Sequence, residues 1–147
     1  MDPVVGFQGF GFIRESVWLY PFLEIVHLVG VGLLLGNLVL FELRLLGLGR
    51  NIDVAPLARL ALPIAVLGFA LAALSGLTMF ASQPLELMPN RAFRWKMALV
   101  LLAGLNAAWF HARGSLARHD AVARAQAVGS LAIWILVLAC GRLIAYV

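Results

Sequence analysis

The chain has 147 residues, of which 63% are hydrophobic and only 12% charged, about half the charged share of a soluble domain. Its net charge of +4 would suit a nucleic-acid partner, but the basic residues are scattered along short segments between apolar runs and gather on no soluble face. This composition excludes nucleic-acid binding and a separate soluble catalytic domain. It implies an all-α integral membrane protein whose chemistry sits between helices or at their ends.

Four windows reach the roughly 20 apolar residues that a spanning helix needs, at 17–41, 57–81, 95–112 and 125–147. The segments between them are short, so neighbouring spans should run antiparallel, as an up-and-down four-helix bundle forming one transmembrane domain. Residues 1–16 place Phe7, Phe10 and Phe12 among glycines ahead of Arg14 and Glu15, a composition suited to a membrane surface. No basic region precedes the first span and no small-residue cleavage pattern follows, so that span is expected to be retained.

Trp18 and Tyr20 mark the interface where the first span enters, and Pro21 falls in its first turn, where a missing N–H is tolerated. Glu24 and His27 are three residues apart and share a helix face inside the apolar run, where both are expensive without a partner. Gly32 and Gly36 give a GxxxG spacing suited to close helix packing. The span ends at FELRLLGLGR, where Glu42 and Arg44 are expected to return to water and Gly47 and Gly49 to stop the helix.

The second span carries Gly68, Ala72 and Gly76 at four-residue spacing, a packing face, with Ser75, Thr78 and Met79 towards its far end. Two prolines in SQPLELMPNRAF break it. The third span has Lys96 near one end, His111 near the other, and Asn106 placed for an interhelical hydrogen bond. GSLARHDAVARAQ reads as a surface-lying helical extension with a solvated His119. The fourth span holds Arg142 in its last turns, a guanidinium that needs an anion, and Cys140, the single cysteine, which excludes an internal disulfide and a cysteine-cluster metal site.

Six arginines (44, 50, 59, 113, 118 and 124) fall on one side and Arg14, Arg91, Arg94 and Lys96 on the other. The positive-inside rule then puts the first group in the cytoplasm, with both termini in the periplasm of a bacterial inner membrane. At about 1.5 Å rise per residue, His27 lies about 13 Å below the Trp18 interface, in the half shared by Glu24, Met79, Lys96 and Arg142. His111 lies roughly 24 Å from that interface, an offset of about 10 Å from His27 that disfavours one haem clamped by both imidazoles. His27 is therefore a candidate haem or metal ligand on its own.

YPFLEIVHLVGVGLLLGN, ELRLLG, FRWKMALVLLAGLNAAWFH and GRLIAYV together resemble an uncharacterised bacterial family of small four-helix membrane proteins. More distantly, the first-span histidine and the lysine ahead of an apolar run resemble the HemJ-type protoporphyrinogen oxidases, and KMALVLLAGLN is similar to the membrane domain of CopD-type copper-resistance proteins. The HemJ resemblance implies b-type haem held at His27 and Lys96. Outside the HemJ pattern, Arg142 would neutralise a propionate or pair with Glu24, and Glu24 would orient His27 or accept protons from a quinol- or porphyrinogen-like substrate. The expected activity is electron transfer or oxidation of such a substrate, with a periplasmic electron carrier as partner. Copper handling through Glu24, His27 and Met79 is the alternative. A non-catalytic accessory subunit, docked through Gly32 and Gly36 and the small faces of the second span in a larger membrane complex or a homo-oligomer, is the third reading.

Overall fold

The computed structural model describes residues 10–147. Among these the chain is all-α, with α1 (Gly11–Glu15), α2 (Leu19–Leu45), α3 (Val54–Ser82), α4 (Pro84–Leu87), α5 (Arg91–Arg113), α6 (Ser115–Arg118) and α7 (Ala121–Leu143). The four long helices fall on the four apolar windows. Of these, α2, α3 and α7 are long and apolar enough to cross a bilayer. Helix α5 matches them in length but carries Arg91, Arg94, Lys96 and Arg113 at its ends. Outward-facing Leu28, Leu60, Leu101 and Ile135 are 69, 66, 70 and 64% exposed, so the outside of the long helices is apolar and compatible with lipid. Phe7 lies outside the described residues, while Phe10, just ahead of α1, and Phe12 on it are exposed and Ile13 is buried.

Local chemistry sets the helix ends. Asn90 caps α5 by accepting from the Phe93 N–H at 3.1 Å, and its Nδ2 donates to the carbonyls of Ile144 at 3.0 Å and Val147 at 2.8 Å. Asp120 caps α7 by accepting from the Ala123 N–H at 2.9 Å. Between α5 and α6 the chain turns through Gly114 at φ 71°, a left-handed conformation that costs glycine little.

Packing pairs α2 with α3 and α5 with α7, and α2 also meets α7. Gln83 Nε2, just past α3, donates to the Tyr20 hydroxyl near the start of α2 at 3.0 Å, so those helices run antiparallel. At the opposite end Phe41, Leu45, Val54, Ala58, Ala61, Phe110, Ala123 and Ala127 form the main apolar core. The two ends are called here the Trp18 end and the Glu42 end.

The helix–helix approach departs from the expected GxxxG. Gly32 and Gly36 have nothing within 4 Å of a Cβ and face outward, whereas Gly30 and Gly68 carry the close contact between α2 and α3. The spacing alone did not reveal which glycines faced a neighbour.

Candidate functional site

At the Trp18 end, His27 Nδ1 lies 2.8 Å from the Ala72 carbonyl oxygen and 3.2 Å from Ser75 Oγ. The Ser75 hydroxyl donates back along α3 to the Leu71 carbonyl at 2.6 Å, so the carbonyl of Ala72 needs the ring to be the donor. Nδ1 therefore carries the hydrogen, and Nε2 keeps its lone pair. Gly76 makes room for the ring: a Cβ there would stand 3.2 Å from His27 Cε1.

Lys96 is partly buried and lays its ammonium along α7, 3.6 Å from where a Cβ on Gly141 would be and within electrostatic range of the His27 ring. It forms no salt bridge among the described residues. Arg142 instead faces outward, donates to the Tyr146 hydroxyl at 2.8 Å and stacks its guanidinium 5.1 Å from that ring's centre. Glu24 is exposed and Met79 partly buried. Of the residues expected in that half of the membrane, His27 and Lys96 come near each other, while Arg142 pairs with Tyr146 and, among the described residues, forms no salt bridge with Glu24.

A second candidate site lies at the Glu42 end. A cavity of about 310 Å³ opens between α2, α3, α5 and α7. Its walls are mostly apolar, with two edge-to-face aromatic pairs bordering it: Phe41–Phe110 at 6.2 Å and Phe69–Trp134 at 6.4 Å between ring centres. Glu42 and Gln126, each 4% exposed, also line it. Glu42 Oε2 and Gln126 Nε2 are buried without a hydrogen-bond partner among the described residues. Glu42 therefore does not return to water as expected. Phe110 and the small face of α7 cover the last turn of α2, and the carboxyl is enclosed beside Ser130.

A row of hydrogen bonds holds Gln126 from the solvent side. Arg113 pairs with Asp120, and this ion pair, with the Ala123 N–H, holds the Asp120 carboxyl down at about 2. Arg113 Nη1 also donates to Ser115 Oγ at 2.9 Å, and Ser115, wholly buried, lies 2.6 Å from Gln126 Oε1. Arginine has only donors, so Ser115 must accept from it and spend its one hydrogen on Gln126 Oε1. The amide is thereby oriented, with its Nε2 left to face the cavity. As the sequence suggested, Asn106 bonds between helices, its Nδ2 donating to the Gln126 carbonyl at 3.0 Å.

Among the described residues no three His, Cys, Asp or Glu side chains gather into a metal-binding group. Compared with protein-family models, curated proteins and solved structures, the chain matches none. The polar pair at the Glu42 end was missed from sequence because FELR reads as a helix leaving the membrane. The available signal was Gln126 on the same apolar helix as Ser130, four residues on and therefore on the same face.

Proposed function

We propose that the chain is a four-span membrane protein, α5 completing an antiparallel bundle, and that it binds a membrane-soluble small molecule in the cavity at the Glu42 end. The observation carrying this reading is the pair of buried, unpartnered polar atoms, Glu42 Oε2 and Gln126 Nε2, in an otherwise apolar cavity. Buried polar groups are normally paired, and a largely apolar cavity with a few polar groups is the usual form of a ligand site.

Helix α5 suits a span because its charged residues lie at its ends and the stretch from Met97 to Phe110 has none. On the cavity's lining, Val66 and Phe69 of α3 and Gly104 and Ala107 of α5 are exposed, which gives a lateral entrance facing acyl chains. The arginine count favours a cytoplasmic Glu42 end and periplasmic termini in a bacterial inner membrane.

The test is organic extraction of protein purified in mild detergent, followed by mass spectrometry, with Gly104→Trp to fill the entrance. Wild type should retain one nonpolar species near stoichiometry and the variant should lose it. Bulk phospholipid alone in both extracts would overturn the reading.

A second reading, b-type haem at the Trp18 end, is favoured by the His27 hydrogen bond, which leaves Nε2 suited to an axial iron ligand. When bound, the group would supply one-electron chemistry. His27 would hold it, with Lys96 close by at the same end of the helices. Arg142 would reach a propionate only by leaving Tyr146, and Glu24, exposed at the same end, would handle protons. A reduced-minus-oxidised haem spectrum present in wild type and lost in His27→Ala would support this reading. Colourless protein from a haem-supplied host would remove it, and retained copper lost with His27→Ala or Met79→Leu would replace it with copper handling.

A further inference from the structure

Resting on the cavity reading, we infer that its ligand carries an aromatic hydroxyl head of the quinol class. The hydroxyl oxygen accepts from Gln126 Nε2, and the O–H donates to Glu42 Oε2.

The hydrogen-bond row fixes half of that complementarity. Turning the Gln126 amide over would set its NH2 against the Ser115 hydrogen and leave Ser115 with nowhere to donate, because Arg113 occupies its acceptor side. The site thus offers a donor at Gln126 and a carboxyl oxygen at Glu42. A hydroxyl head that both accepts and donates satisfies the two in either protonation state of the carboxyl, whereas a hydrocarbon satisfies neither and a quinone carbonyl cannot donate to an ionised Glu42. Among the described residues no lysine or arginine lines the cavity, so a phosphate head would carry uncompensated charge into a low-dielectric site, which disfavours phospholipid.

The walls argue for a ring. The Phe41–Phe110 and Phe69–Trp134 pairs border the same cavity as Glu42 and Gln126 and offer ring faces and edges to a planar group. Towards the entrance, Val66 and Gly104 leave an apolar path along which a tail can continue into the bilayer.

The test titrates the full-length protein in mild detergent by calorimetry with four probes sharing a decyl tail: a benzoquinol, the matching benzoquinone, a cyclohexanol and benzene alone. The quinol should bind about tenfold more tightly than decylbenzene or the quinone. Gln126→Met and Glu42→Gln should each shrink that preference while decylbenzene still binds, which also reports that the variants are folded. Equal affinity of quinol and decylbenzene for wild type would overturn the head assignment and leave the cavity reading standing. Cyclohexanol matching the quinol would overturn the aromatic part, and no binding by any probe would overturn the cavity reading itself.

Discussion

Gly30 and Gly68 meet backbone to backbone across the α2–α3 interface. A Cβ on Gly30 would stand 2.6 Å from the Ala72 nitrogen and 2.7 Å from the Gly68 carbonyl oxygen, and one on Gly68 would stand 2.6 Å from the Gly30 carbonyl oxygen. The atoms in the way are main chain, so a methyl group can be admitted only by moving a helix. Gly30→Ala or Gly68→Ala should each destabilise the protein by about 1–3 kcal/mol. Gly32→Ala, with nothing within 4 Å, should leave stability unchanged or slightly raised. Unfolding in mixed micelles measures all three.

Ser115→Ala removes the group that joins Arg113 to Gln126. A buried amide oxygen is left without its donor, at a cost of about 1–3 kcal/mol. The amide is also released to rotate, so binding in the cavity should lose its preference for a polar head before it loses its affinity for hydrocarbon. A thermal midpoint and the four-probe titration separate the two effects.

Asp120 links stability to pH. Its folded value of about 2 lies below the ordinary 3.8, so the ionised form is the one the fold favours. The stabilisation is complete above the ordinary carboxylate value and lost as pH falls through about 4 towards 2. Wild type should weaken over that window, and Asp120→Asn should show a flatter profile there from a lower starting point. Equal slopes would show that the Arg113 pair contributes nothing.

Asn90 serves two helices, as the cap of α5 and as donor to the carbonyls of Ile144 and Val147. Asn90→Ala should cost about 1 kcal/mol through the cap. It should also loosen residues 144–147, read as faster proteolytic trimming of that segment.

The His27 ring should be protonated at Nδ1 and bare at Nε2, which nitrogen-15 shifts of labelled histidine read directly. Ser75→Ala should leave this tautomer in place because the Ala72 carbonyl remains. An Nε2–H tautomer would contradict the hydrogen bond to Ala72 and remove the basis for an axial ligand.

The long helices were legible in the sequence because hydropathy and helical length are properties of contiguous residues. Asn106 and the Gly68–Ala72–Gly76 face were legible for a related reason: polar or small residues in an apolar helix must face a neighbour. What the sequence hid depended on which neighbour. Glu42 looked like an interfacial charge because its cover comes from Phe110 and Ala127, some seventy and eighty-five residues away. Arg142 looked in need of a distant anion, yet Tyr146, one turn ahead, satisfies it. Gly32 and Gly36 match the usual spacing, while the contact falls at Gly30, two residues from the motif.

The arrangement of the long helices as two antiparallel hairpins, α2 with α3 and α5 with α7, touching each other along α2 and α7, has a mechanical consequence. Each hairpin is tied internally, one by glycine backbones and the other by the Asn106 and Asn90 bonds, whereas the seam between them is the sparser contact. Tilting one hairpin against the other would widen or pinch the opening between α3 and α5 without unwinding a turn. Under the cavity reading, such a tilt would set how wide a group can pass between α3 and α5.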